Sequence, residues 1–151
     1  MPTHYQGTPD EILALDTLIK LLRSVSAVQA QTLPVLQKQY GITESQLGVL
    51  EAIHHLGPLC QGELGHKILR SGSNITTVVD NLERDGLVQR VRDATDRRMQ
   101  IVHLTEKGRA QIASALPGHV SRITNVMGAL TAAEQKELGR ICRKLGRAAR
   151  G

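Results

Sequence analysis

Between Gly86 and Thr105 the chain leaves helical periodicity once, and this break limits the fold more than any other feature. Leu87–Arg92 and Met99–Leu104 are rich in β-branched residues and flank the polar stretch Asp93-Ala94-Thr95-Asp96-Arg97-Arg98. Two such segments around a polar turn predict a β-hairpin. The turn is longer than a tight hairpin needs, so its tip has a task beyond reversing the chain.

On both sides of the hairpin the sequence reads as helix, with legible starts and stops. Thr8-Pro9-Asp10-Glu11 is a capping box with proline at the first helical position, so a helix should begin at Pro9. Leu15, Leu18, Ile19, Leu22 and Val25 follow at helical spacing, and Ile12, Leu13 and Leu21 add apolar surface on other faces. This helix should continue, bent at Pro34, until Gly41 stops it. Thr43-Glu44-Ser45-Gln46 opens a second helix carrying Leu47, Leu50 and Ile53, closed by Gly57-Pro58. A short third helix, about Gln61 to Leu69, places Leu64 and Ile68 on one side. Ser71 is expected to cap a fourth, with Ile75, Val78, Val79 and Leu82 as its apolar stripe and Asp85-Gly86 as its end.

After the hairpin, Thr105 caps a long fifth helix. Its Ile112, Leu116, Val120, Ile123, Met127 and Leu130 alternate steps of four and three, a seam that calls for a partner helix. Pro117-Gly118 should kink it. Thr131-Ala132-Ala133-Glu134 opens a last helix, on which Leu138, Ile141, Cys142 and Leu145 should face inward. The expected fold is therefore mainly α with a small β-hairpin wing. A winged helix-turn-helix lobe (43–104) hangs from dimerisation helices (8–41 and 105–150) within one chain, 1–151. The outer helices are too long and too apolar to cover themselves on so small a core, and a second copy of the chain would cover them.

The formal net charge is +5, and arginine outnumbers lysine. Such a surface attracts polyanions, and the planar guanidinium suits phosphate and guanine. Aromatic residues make up 1% of the chain, with no Phe and no Trp. Single-stranded nucleic acid is held by base stacking on aromatic side chains, so duplex DNA is the better partner. No apolar run approaches the roughly 18 residues that span a bilayer, and no secretory signal is visible. A cytoplasmic location without membrane attachment is expected. There is no glycine-rich phosphate loop, GxSxG or HExxH, so neither an enzyme nor a cofactor is expected.

In a helix-turn-helix the second helix presents its N-terminal residues to base edges in the major groove. With Ile75, Val78 and Val79 turned inward, Ser73, Asn74, Thr76 and Thr77 project outward as short hydrogen-bonding groups, beside the cap Ser71. One cap accounts for one such residue, not for the cluster. At the hairpin tip, Arg97 and Arg98 follow Asp96. An arginine there can enter the narrow minor groove, and the nearby carboxylate can orient it.

Ser71-Gly72-Ser73-Asn74-Ile75-Thr76, Asp80-Asn81-Leu82-Glu83-Arg84-Asp85-Gly86-Leu87-Val88, Asp93-Ala94-Thr95-Asp96-Arg97-Arg98 and Leu104-Thr105-Glu106-Lys107-Gly108 together resemble the MarR family of bacterial regulators. The likeness extends over nearly the whole chain. It implies a homodimer on a pseudo-palindromic operator, with Ser73 to Thr77 in the major groove and Arg98 in the minor groove. The segment from Gly57 to Thr76 is nearest to relatives that answer phenols and quinones, which implies a small aromatic effector.

For that effector, Arg23, Tyr40, His54 and His55 are the candidate polar groups. A thiol sensor of redox state or electrophiles, using Cys60 between the second and third helices, is the alternative control. Cys142 is expected to be inert packing. His54, His55, Cys60 and His66 lie close in sequence, but adjacent helical residues point about 100° apart, so no metal site is assigned. A DNA-independent helical adaptor would use the same apolar faces and leave the Ser73–Thr77 cluster and the wing unexplained.

Overall fold

Thr8, Thr43, Thr105 and Thr131 each open a helix in the computed structural model, which describes residues 3–68 and 74–151. The Thr8 hydroxyl accepts the Glu11 N–H at 3.2 Å while Glu11 accepts the Thr8 N–H at 2.8 Å, a reciprocal capping box. Thr43 with Gln46 and Thr131 with Glu134 repeat it. The Thr105 hydroxyl accepts the Gly108 N–H at 3.0 Å. Each pairing satisfies donors that the first helical turn leaves without partners.

The elements run α1 (Pro9–Tyr40), α2 (Glu44–Leu56), β1 (Leu59–Cys60), α3 (Gln61–Lys67), α4 (Ile75–Arg84), β2 (Val88–Arg92), β3 (Gln100–Leu104), α5 (Glu106–Met127) and α6 (Ala132–Arg150). The predicted hairpin is present as β2 and β3, antiparallel from Val88 opposite Leu104 to Arg92 opposite Gln100. Leu59 and Cys60, expected as connecting loop, form β1 against Val102 and Ile101, so the strand order is β1-β3-β2. The α3 helix ends at Lys67 with Ile68 as its C-cap, short of the expected Leu69, which itself lies outside the described residues.

The chain divides into two units, Leu33–His119 and Met1–Thr32 with Val120–Gly151. The first is wider than the expected lobe of 43–104, because the last turns of α1 and the first turns of α5 belong to it. Its core gathers Leu36, Ile42, Leu50, Leu64, Val79, Leu82, Val88, Val102 and Ile112, all essentially free of solvent exposure. Ile75, Val78 and Ile68 pack against this core, as their spacing predicts.

The α5 seam is corrected by this core. Ile112 is fully buried and Leu116 packs on the same cluster, so both serve the lobe of their own chain. Val120 and Ile123 remain exposed. Helical spacing shows which face is apolar, not which neighbour covers it.

In the second unit, none of the described hydrophobic residues is buried. The inward placement expected for Leu138, Ile141, Cys142 and Leu145 does not hold: α6 buries no residue, and Cys142 is exposed. On α6, Arg140 donates to both Glu137 carboxylate oxygens at 2.9 and 2.7 Å. That guanidinium holds the Glu137 carboxyl below its usual value. Among the described residues no helix is long and apolar enough to cross a membrane.

Candidate nucleic-acid interface

The α4 helix places its apolar stripe in the core and leaves Thr76, Thr77 and Asp80 exposed on the other side. Its cap is Asn74, not Ser71: the helix begins at Ile75, and the Asn74 side chain accepts the Thr76 N–H at 2.9 Å. A Ser-Gly-Ser-Asn run offers several caps of similar quality, and the position of the apolar stripe selects the last of them. Ser71 and Ser73, two of the residues expected to touch DNA, lie outside the described residues.

Thr76 is also tied to α3. The Gln61 amide donates to its hydroxyl at 2.9 Å, which fixes how the threonine faces outward. Sequence reasoning did not single out Gln61, because a contact across fifteen residues between two helices leaves no periodic signal.

The wing tip closes through Asp93 N–H to Met99 O at 2.9 Å and Met99 N–H to Asp96 O at 3.0 Å. Asp96 Oδ1 accepts the Arg98 backbone N–H at 3.1 Å and the Arg98 Nε at 3.3 Å. The carboxylate therefore orients the guanidinium while the Arg98 side chain stays 92% exposed. Arg97 beside it is exposed as well. An exposed ion pair contributes at most about 1 kcal/mol to stability, so its effect is orientation.

The wing is fastened to α4 at its base. Arg90 Nη2 donates to Asp80 Oδ1, and the Arg90 backbone N–H donates to Glu83 Oε2 at 3.0 Å. Cys60, Gln61 and Gly62 line a depression of about 310 Å³ together with Arg98, Met99 and Gln100. Cys60 Sγ accepts the Glu63 N–H at 3.4 Å and so caps α3.

Of the candidate effector residues, Tyr40 and His54 line different pockets of the same unit. Tyr40 lines a pocket of about 350 Å³ with Gly41, Asp85, Leu87, Lys107 and Gln111, and its hydroxyl donates to Ser114 O at 3.2 Å. His54 lines a separate pocket of about 160 Å³ beside His103 and Arg109. His55 is exposed, 4.0 Å from Glu51 on the same helix, and its ring meets His54 edge-on at 5.1 Å. Arg23 is exposed and belongs to the other unit. Among the described residues no group of three or more His, Cys, Asp or Glu could hold a metal ion.

A capped polar helix, a three-stranded sheet and an arginine-tipped wing on one helical lobe define a winged helix-turn-helix transcriptional regulator that binds DNA. Residues 42–99 match the profile of the MarR family. The HTH-type transcriptional regulator YkoM of Bacillus subtilis is 33% identical over 109 residues, 72% of this chain and 71% of that one. The HTH-type transcriptional repressor MdtR of the same organism is 28% identical over 140 residues, 93% of this chain and 89% of its own. The solved structure of Sco3205, a MarR family regulator from Streptomyces coelicolor in complex with DNA, superposes with a TM-score of 0.82 at 25% identity. It covers 95% of this chain and 94% of that one. The chain belongs to the MarR family, a family of transcriptional regulators rather than enzymes. That membership sets aside the DNA-independent adaptor.

Proposed function

We propose that the chain acts in the cytoplasm as a homodimeric repressor on a pseudo-palindromic operator, released by a small aromatic ligand such as a phenol. In this reading Ser73, Asn74, Thr76 and Thr77, with Ser71 beside them, meet the major groove. Arg97 and Arg98, the latter held by Asp96, meet the minor groove. The observation that carries it is Arg98, almost fully exposed yet pinned by Asp96 at two of its nitrogens. A guanidinium oriented before binding loses less freedom on entering a groove. The repressor role draws on the likeness to MdtR. Of the pockets lined by Tyr40 and by His54, the one lined by Tyr40, about 350 Å³, is of the size that holds a small ring compound.

The test starts from a duplex selected out of a randomised pool by the protein itself, titrated by fluorescence anisotropy at two salt concentrations. Binding should exceed that of a scrambled duplex at both, and single-ring phenols should release it. Arg98→Ala should weaken binding about ten-fold or more and reduce the salt slope by about one, with the oligomeric state unchanged. Unchanged affinity would remove the wing from the mechanism. Equal binding to both duplexes, lost at high salt, would leave only the basic charge at work.

A second reading of the control rests on Cys60, which shares its depression with Arg98 and with Gln61, the residue bonded to Thr76. A group added to this sulfur would press on both DNA-contacting elements. If the thiol is the sensor, a quinone should release wild-type protein and leave Cys60→Ser bound. Equal release of both would assign the effect to a pocket instead.

A further inference from the structure

We infer that Arg90 is a positioning residue for DNA binding: it locks the wing to α4 at a fixed angle and neutralises an acid on the helix edge that faces DNA. This rests on the reading of α4 and the wing given under Proposed function.

The first observation is a break in the strand pattern. Successive residues of β2 point to opposite sides. Val88 is buried and Gln89 exposed, while Val91 is 45% exposed. The inward position after Val88 therefore holds an arginine, its side chain 18% exposed, and the neighbouring outward position holds a valine. Turning an arginine inward is costly unless its charge is paired. An apolar residue would serve packing better, so the arginine is there for its bonds.

Those bonds run to one element. The Arg90 side chain donates to Asp80 and its backbone N–H to Glu83, both on α4. Asp80 and Glu83 are three residues apart, so they lie on one face of the helix. The edge strand β2 thereby gains two anchors at a single residue, one of which closes an otherwise open edge donor. The wing loop begins just beyond, at Asp93, so rotation of β2 against α4 would swing Arg98.

Asp80 also lies three residues after Thr77 and four after Thr76, on the exposed edge proposed for the groove. A lone carboxylate there would face phosphates and oppose binding. The guanidinium of Arg90 offsets that charge. One residue thus sets the wing's direction and makes the helix edge compatible with DNA.

The experiment is a double-mutant cycle on the duplex selected by the wild-type protein, using Arg90→Ala, Arg98→Ala and both together, with thermal midpoints recorded for each. Arg90→Ala keeps the backbone link to Glu83, and Arg90→Gln replaces it should the alanine variant not fold. Arg90→Ala should weaken binding about ten-fold. In that background, removing Arg98 should cost no more than about three-fold, against about ten-fold in the wild type, because the wing is already misdirected. Arg90→Lys, which restores the charge, should recover part of the affinity. Wild-type affinity in Arg90→Ala, or losses that multiply independently, would overturn the proposal.

If the wild-type protein selects no sequence, the functional reading fails, and the lock is then judged without DNA. Amide hydrogen exchange across residues 93–99 should be about ten-fold faster in Arg90→Ala. Unchanged exchange would show that Arg90 does not hold the wing.

Discussion

Gly108→Ala should cost the lobe roughly 3 kcal/mol or more and lower its thermal midpoint by about 10 °C or more. An added Cβ would lie 1.9 Å from the Leu87 carbonyl oxygen, 2.9 Å from its carbon and 3.2 Å from its Cα. These are backbone atoms, and they are held. Leu87 O accepts the Thr105 N–H at 3.1 Å, and Leu87 N–H donates to Leu82 O at 2.9 Å. The two preceding carbonyls are taken as well, Gly86 O by the Thr105 hydroxyl at 2.6 Å and Asp85 O by Lys107 Nζ at 2.9 Å. Three successive carbonyls after α4 are thus fastened to the first turn of α5. Neither side of the joint can give way without breaking it. Because a small domain has only about 5–15 kcal/mol of stability, this change removes a large share. Gly62→Ala is the control: nothing lies within 4 Å of its added Cβ and alanine is the better helix former, so it should match wild type or be up to about 1 kcal/mol more stable. Equal melting of Gly108→Ala and the parent protein would show that the joint is loose.

The joint also separates what the sequence discloses from what it does not. Thr105, Asp85-Gly86 and the capping boxes at Thr8, Thr43 and Thr131 act within a few residues, so local chemistry identifies them. The hold of Asp96 on Arg98 was legible for the same reason. By contrast, β1 is two residues long and has no period to detect. The bonds of Arg90 to Asp80 and of Gln61 to Thr76 span ten and fifteen residues between elements. Ile112 and Val120 looked equivalent on α5, because spacing assigns both to one apolar face. Only the three-dimensional core distinguishes them: Ile112 is covered by its own lobe and Val120 is not. Tyr40 and His54 are polar groups of suitable type, but residue type carries no information on which pocket each one lines, and they line different ones.

The exposed stripe leads to the other large effect, on assembly. Ile141→Glu should convert the proposed dimer into a monomer that keeps its helical circular dichroism. Leu13, Leu18, Leu22 and Val25 on α1 and Leu138, Ile141 and Leu145 on α6 are each 40–65% exposed, with Val120 and Ile123 of α5 similarly uncovered. Leu18, Leu22 and Val25 recur at helical spacing, as do Leu138, Ile141 and Leu145, so α1 and α6 each carry an uncovered apolar stripe of the kind that marks an interaction surface. Fully burying one such side chain contributes about 1.5–3 kcal/mol, so a few of them supply the driving force for a stable pair. A carboxylate in the middle of the α6 stripe would have to be desolvated without a partner on forming the pair, which reverses the balance. Sedimentation equilibrium at micromolar concentration would measure it, and a dimer of unchanged strength would place the interface elsewhere. Loss of the dimer should also weaken binding to the selected duplex by about a hundred-fold or more. Two linked lobes bind their half-sites as one event, at a local concentration that a lone lobe does not have. A monomer that bound the duplex as tightly as wild type would show that one lobe suffices, and the two-fold symmetry proposed for the operator would go with it.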